Sequence, residues 1–236
     1  MTRKKVVYVI VEGPSDRKAL GVLLSNIYEN DRVHIYVTHG DITSDWRTTP
    51  ANIVAKIGNS VKSYAADYYL KNKDFKEVIH IVDMDGAYIS NSAIISDEEA
   101  DKALYSTTEI HTCDREGIIE RNNHKRANIE RLKSLRTVWG NIPYSVYYMS
   151  CNLDHVLYNK LNSTDEEKEN DADEFAEKYE DDVPGFLEFI NESDFSVVSD
   201  YQESWEYITK EQHSLERHTN LGICFIKDKK IDQKKQ

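Results

Sequence analysis

The chain is poor in cysteine: it has three, Cys113, Cys151 and Cys224, and none of them belongs to a CxxC pair. A disulfide framework or a cysteine zinc site is therefore not expected, and a reducing cytoplasm is the natural setting. No apolar run approaches the ~20 residues that a membrane helix needs. The first run, Val6–Val11, is also too short for the apolar region of a secretion signal, so we expect a cytoplasmic protein without a membrane partner.

Several catalytic signatures are missing as well. The sequence contains no Walker A loop, no HExxH, no Gly-x-Ser-x-Gly and no zinc-ligand spacing. The chain has no excess of basic residues either, because its net charge is −12. Much of that acidity is local, since residues 163–182 contain eleven Asp or Glu and only two Lys. The rest of the chain is close to balanced, so the composition does not exclude a phosphate-rich partner.

Short apolar runs alternate with helical patterns in the first ninety residues. Runs rich in Val and Ile at residues 5–11, 33–38 and 78–82 predict buried strands, and the segments between them have helical spacing. This order predicts a parallel sheet with helices on its faces. Beyond residue 86 we expect a strand at 108–112, an amphipathic helix at 123–139, a strand at 144–149 and a helix at 154–161.

Acidic side chains stand where two of the predicted strands end. Glu12 follows the first strand, and Asp83 and Asp85 follow the third. Ligands of an open parallel sheet bind at the carboxyl ends of its strands, and residues i and i+2 of an extended segment point the same way. Asp16, four residues after Glu12, can face the same place. Carboxylates suit a hard cation such as Mg²⁺. The alternative is that these acids are loop residues and helix caps. For Asp16, taken by itself, a helix cap is the favoured role.

The combined pattern resembles the Toprim family, the catalytic domain shared by topoisomerases, bacterial primases, certain maturases and the OLD nucleases. The resemblance lies in VVYVIVEGPSD (Val6–Asp16) and VIHIVDMDG (Val78–Gly86), and it is most like the OLD and RloB-like branches. It implies a Rossmann-like fold in which Glu12 is a general acid/base or a metal ligand and Asp83 and Asp85 bind Mg²⁺ or Mn²⁺. Asp16 would then help to hold a second ion.

A further acid comes from a looser similarity. The segment Ser150–His155 is similar to a Ser-Asn-Pro-x-Phe-Glu stretch of RloB-like proteins, without its proline and with Asp154 in place of the glutamate. The resemblance makes Asp154 a candidate metal ligand. A helix cap formed by Asn152 explains the same residues equally well.

The resemblance leads us to expect a metal-dependent nuclease that cleaves phosphodiester bonds of DNA or RNA with one or two Mg²⁺ or Mn²⁺ ions, with phage defence as one setting. Bound ions neutralise the charge that develops on phosphate. Basic residues on the predicted helix would contact the nucleic acid backbone; they are Lys125, Arg126, Lys133 and Arg136. The alternative is that they form the solvated face of that helix.

Two other functions stay open. Asp83 and Asp85 also resemble the first motif of haloacid dehalogenase-type phosphatases, with Asp83 as nucleophile and Asp85 as general acid. That motif usually lies near the N-terminus and has Thr where this chain has Ala87, and it leaves Glu12 without a role. The other possibility is a non-catalytic Toprim-like module that acts with a partner ATPase.

We therefore expect four segments along the chain. Residues 1–162 are predicted to form a Toprim-like α/β domain with a mostly parallel sheet and helices on both faces. Residues 163–174 are predicted to be an acidic linker or loop, 175–226 a helical C-terminal region and 227–236 a basic tail.

Overall fold

Two β-sheets organise residues 4–226, the part of the chain that the computed structural model describes. The strands are β1 (Val6–Val11), β2 (Arg32–Val37), β3 (Phe75–Asp83), β4 (Ile94–Ser96), β5 (Leu104–Tyr105), β6 (Ile110–Thr112), β7 (Thr137–Val138) and β8 (Ile142–Met149). The α-helices are α1 (Pro14–Ile27), α2 (Ile53–Asp67), α3 (Arg115–Lys133), α4 (Leu153–Tyr158), α5 (Asp165–Tyr179), α6 (Val183–Glu192) and α7 (Tyr201–Ile208), with short 3₁₀ turns at Asn72–Asp74 and Asn91–Ala93.

The main sheet has the strand order β2-β1-β3-β8-β7, and the smaller sheet has the order β4-β6-β5. In the main sheet β2, β1, β3 and β8 are parallel, and only the edge strand β7 is antiparallel to its neighbour. The predicted mostly parallel sheet is therefore confirmed. The chain passes from β2, on one side of β1, to β3 on the other. That reversal of direction is the point at which ligands bind in open α/β sheets.

Both faces of the main sheet are covered, which explains why all six residues of β1 are buried. Val7, Val9 and Val11 belong to a core shared with helices α1, α5 and α6. Val6 and Tyr8, which point to the opposite face, belong to a core shared with α2, α3 and α7. The predicted placement of helices on both faces is confirmed.

The acidic segment 163–174 is not the linker that we expected, because helix α5 begins at Asp165. The hydroxyl of Thr164 accepts a hydrogen bond from the N–H of Glu167, whose carboxylate accepts one from the N–H of Thr164. Ala172, Phe175 and Tyr179 form an apolar stripe that is buried. The prediction of a linker used the acidic composition of the segment and did not consider the helical spacing of these apolar residues, so it was wrong.

The C-terminal helices pack onto the same sheet as the rest of the chain. Phe186 of α6 lies in the core beneath α1, and Trp205 and Ile208 of α7 lie in the core on the opposite face. The basic tail, 227–236, lies outside the described residues. Within residues 4–226, the helices are all too short or too polar to cross a membrane.

Candidate functional site

Glu12 and Asp83 meet at the carboxyl ends of two neighbouring parallel strands. Glu12 directly follows β1, and Asp83 is the last residue of β3. The backbone N–H of Asp83 donates a hydrogen bond of 3.2 Å to Oε1 of Glu12. The two acids predicted from separate motifs are therefore adjacent, at the position where the strand order reverses.

A tight turn follows Asp83 and changes the direction of the next acid. Asp85 has a φ of 46° and Gly86 a φ of 66°, both in the left-handed region. A Cβ on Gly86 would lie 2.7 Å from Cδ2 of Leu215, so this position needs glycine for its conformation and for space. Asp85 does not continue the strand, and the extended-chain argument that aligned it with Asp83 fails for that reason.

The C-terminal segment around Ser214 holds this turn in place. The carbonyl oxygen of Ser214 accepts hydrogen bonds from the N–H groups of Gly86 (3.2 Å) and Cys151 (2.9 Å). The N–H of Asp85 bonds to the carbonyl of Cys151 at 2.7 Å. The ends of β3 and β8 are thus tied together by a segment far along the chain, which no local sequence signal indicates.

Lys125 lies inside the site and not on an exposed helix face. Its side chain is 0% exposed, and its Nζ is 2.8 Å from Oδ2 of Asp41 and in contact with the carboxylate of Asp85. This burial rules out the solvated helix face that was the alternative for Lys125, and contact of Lys125 with nucleic acid stays a prediction. Helix α3 begins at Arg115, earlier than predicted, and Lys125 belongs to its buried face. Two carboxylates compensate for burial of the ammonium group.

Asp41 is a site residue that the sequence did not reveal. It lies in the loop after β2, where the N–H of Gly40 donates to the carbonyl of Glu12 at 3.2 Å. Burial raises the pKa of Asp41, but the ammonium of Lys125 and the hydroxyl groups of Ser44 and Thr43 outweigh that effect and hold the pKa well below its usual range. Its one sequence signal is its position shortly after a predicted strand.

Glu12 and Asp83 are short of positive charge. Burial raises the pKa of Glu12 well above its ordinary value, and the carboxylates of Asp41 and Asp83 raise it further. Burial likewise raises the pKa of Asp83, with added repulsion from Asp16 and Asp85. Lys125 offsets only part of this in both cases. A carboxylate cluster with raised pKa values is the electrostatic environment that a bound cation relieves.

Asp16 and Asp154 lie close enough to Asp83 to raise its pKa by repulsion. Oδ2 of Asp16 accepts a 2.8 Å hydrogen bond from the N–H of Gly13, so Asp16 caps helix α1. Burial raises the pKa of Asp16 to about 6, and repulsion from Asp154 contributes. Asp154, at the start of α4, is 3.4 Å from Nζ of Lys168. The side chain of Asn152 caps helix α4, as the alternative interpretation of the Ser150–His155 segment predicted. Metal binding by Asp16 and Asp154 stays a prediction.

The carboxylate oxygens of Glu12 and Asp83 are of the donor type that a hard cation prefers. Within residues 4–226 no three His, Cys, Asp or Glu side chains stand close enough together to hold an ion by themselves. Mg²⁺, however, is usually bound through one or two carboxylates, with water and substrate phosphate as its other ligands. Glu12 and Asp83 supply such a pair of oxygen donors. The space between Asp41 and Asp85 is taken by Lys125.

An open cavity of about 500 Å³ lies beside Asp41, between the end of β2 and helix α2. Its wall includes Tyr36, His39, Asn59 and Ser60. Asp41 also lines this cavity, which offers aromatic, hydroxyl and amide groups.

An exposed aromatic side chain stands on the loop that carries Asp41. Trp46 is 60% exposed, and its ring centroid is 4.9 Å from that of His124. His124 also contacts the carbonyl of Asp45 through Nε2 at 3.1 Å, which ties the loop to helix α3 next to Lys125. The adjacent Arg47 has a highly exposed side chain and is paired with Asp45, its Nε lying 3.0 Å from Oδ1. The loop that carries Asp41 therefore presents an exposed tryptophan beside an ion pair.

The other basic residues predicted to bind nucleic acid have partners on the protein. Arg126 contacts the side chain of Asn123, and Nζ of Lys133 is 2.8 Å from Glu130. The guanidinium of Arg136 lies 5.7 Å from the centre of the Tyr201 ring. These partners differ from Asp41 and Asp85, the acids that Lys125 contacts, and contact of the three residues with nucleic acid stays a prediction.

Comparison of the chain with family models, with curated proteins and with solved structures found no match. The resemblance to the Toprim family therefore rests on the two motifs alone. What the structure shows is an α/β fold with a mostly parallel sheet and acidic residues at the carboxyl ends of β1 and β3.

Proposed function

We propose that this chain is a Mg²⁺- or Mn²⁺-dependent nuclease that cleaves phosphodiester bonds of DNA or RNA. The observation that carries the proposal is the contact between Glu12 and Asp83 at the strand-order reversal between β1 and β3. The hypothesis of a Toprim-like site requires these two acids to lie together. A large separation between Glu12 and Asp83 would have contradicted that hypothesis.

The chemistry requires a charged phosphate to approach a group of carboxylates. A bound divalent ion supplies the positive charge that stabilises the phosphate as the P–O bond breaks. Lys125 adds a fixed positive charge on the other side of the cluster. Without these charges the acids would repel the substrate.

Glu12 is the residue best suited to move a proton. Burial raises the pKa of Glu12 above that of an ordinary glutamate, so its carboxyl group holds a proton more readily, as a general acid must. In the proposed reaction Glu12 accepts a proton from the attacking water or delivers one to the leaving oxygen. Asp83 holds the ion, and Asp85 is kept in place by Lys125 and by the turn at Gly86.

The proposal is tested by incubating the protein with plasmid DNA, single-stranded DNA and tRNA in Mg²⁺, Mn²⁺ or EDTA. Cleavage of at least one polymer with either ion and none in EDTA is the expected result. Release of inorganic phosphate from small esters without polymer cleavage would favour the phosphatase reading, with Asp83 as nucleophile. No reaction on any substrate would favour a non-catalytic module acting with a partner ATPase.

A further inference from the structure

We infer that Lys125 supplies the second positive charge of the site, so that the protein binds one divalent ion where a two-ion nuclease binds two. The inference rests on the proposed function, because it assigns the charges of that same site. It differs from the expectation of up to two ions, in which Asp85 and Asp16 would serve as ligands.

The position of Lys125 is the first argument. Its buried ammonium bridges Asp41, from the loop after β2, and Asp85, from the turn after β3. An ammonium group has three N–H donors, and these two carboxylates account for two of them. A second ion coordinated by Asp41 and Asp85 would have to displace Lys125.

The second argument is that helix α3 cannot easily carry Lys125 away. The amide Nδ2 of Asn128 donates to the carbonyl oxygens of Thr43 (2.8 Å) and Thr48 (3.0 Å), on the Asp41 side. Arg121, one turn before Lys125 in the helix, donates a hydrogen bond to the carbonyl oxygen of Asp85 at 2.8 Å. The helix is therefore tied to both loops whose acids Lys125 joins.

The charges of the cluster form the third argument. Asp41 and Asp85 already share a cation, whereas Glu12 and Asp83 have no ammonium or guanidinium group within ion-pair distance in the described part of the chain. One divalent ion balances the two negative charges of Glu12 and Asp83. A second ion between Asp41 and Asp85 would lie against the buried ammonium of Lys125, which electrostatic repulsion opposes.

The test counts bound Mn²⁺ by electron paramagnetic resonance, with and without a short phosphorothioate oligonucleotide that resists cleavage. The parent protein should bind one ion per chain, Lys125→Met two, and Asp83→Asn none. Arg131→Met, which removes an exposed cation from the same helix, should still bind one. Circular dichroism checks that each variant is folded.

The outcomes separate the two proposals. Two ions bound to the parent protein overturn the inference about Lys125 and leave the proposed function intact. A folded Lys125→Met variant that still binds one ion overturns the inference as well. A parent protein that binds no ion, even with the oligonucleotide, overturns the proposed metal-dependent nuclease. If Lys125→Met does not fold, the ion count of the parent protein alone decides.

Discussion

The backbone N–H of Asp83 donates a hydrogen bond to Oε1 of Glu12, and this contact joins two motifs that lie 71 residues apart in the chain. Neither motif is specific alone, because an acid after a strand is common in turns and caps. The two motifs meet at the edge of the sheet where α/β proteins bind ligands, and this position supports a functional role for the pair.

The first prediction concerns Asp83→Asn in the absence of metal. The substitution removes one charge from a self-repelling cluster, so the metal-free variant should be as stable as the parent protein or more stable. It should lose the stabilisation that Mg²⁺ gives by binding only the folded state, which is about 2.7 kcal/mol at 100 times Kd. Thermal melting with Mg²⁺ and with EDTA measures both effects.

Asp67→Asn is the matched control for this comparison, because Asp67 is exposed at the end of α2. It should keep the full shift with Mg²⁺. If Asp83→Asn destabilises the metal-free protein and keeps the shift, Asp83 has a structural role and does not bind metal.

The second prediction follows from the direction of the Asp83 pKa. The folded protein raises this pKa above its ordinary value, so the Asp83 contribution to stability is full at low pH and is lost as pH rises through the folded-state pKa. The stability advantage of Asp83→Asn over the parent protein should therefore grow between pH 5 and pH 8. Each pKa unit corresponds to about 1.4 kcal/mol.

Urea unfolding in EDTA at several pH values measures this difference. Comparison of variant with parent cancels the contributions of His80 and His155, whose pKa values burial lowers to about 4. A difference that stays constant with pH would show that Asp83 has no unfavourable burial of charge.

Much of this arrangement was predictable from the sequence, because the signals were local. The buried strands, their parallel order and the acids at their ends follow from apolar runs and from the residues that interrupt them. The contact of Glu12 with Asp83 then follows from the rule that parallel strands end at the same edge.

The parts that were missed depend on distant partners. Lys125 is buried only because Asp41 and Asp85, 84 and 40 residues away, neutralise it. In the sequence it is one of several cations on a polar helix. The left-handed turn at Asp85 depends on Ser214 and Leu215, which approach from the C-terminal segment. Neither set of contacts has a periodic signal.

The third prediction tests the exposed tryptophan. Trp46→Ala should weaken binding of single-stranded nucleic acid, because loss of one base-stacking contact costs about 1–3 kcal/mol. Fluorescence anisotropy with a labelled oligonucleotide measures Kd, on a Glu12→Gln background to prevent cleavage. The control is Tyr69→Asn, which removes a 93% exposed ring at a left-handed position that asparagine tolerates. Equal Kd values for both variants would exclude Trp46 from the binding surface.

The fourth prediction concerns the turn that positions Asp85. Gly86→Ala introduces a Cβ at a left-handed position and against the buried side chain of Leu215, so it should destabilise the protein by about 1–3 kcal/mol. Gly58→Ala in α2 meets no atom within 4 Å and should be neutral or stabilising by up to about 1 kcal/mol. Urea unfolding of both variants checks the contrast. A neutral Gly86→Ala would contradict the described turn.

The fifth prediction concerns the proton-transferring acid. Glu12→Gln keeps the oxygen that accepts the Asp83 N–H and removes the ionisable group, so the fold should survive while turnover is lost. Glu29→Gln, at an exposed position just after α1, is the control and should cleave at the parent rate.

The central claim is tested most directly by single-turnover cleavage of an end-labelled substrate by the parent protein and by Glu12→Gln, each with Mg²⁺ and with EDTA. We expect cleavage only by the parent protein with Mg²⁺, and a loss of at least about 100-fold in the variant, as for removal of a general acid/base. Equal rates for parent and variant, or undiminished cleavage in EDTA, would contradict the assignment of Glu12 and Asp83 as a metal-dependent nuclease site.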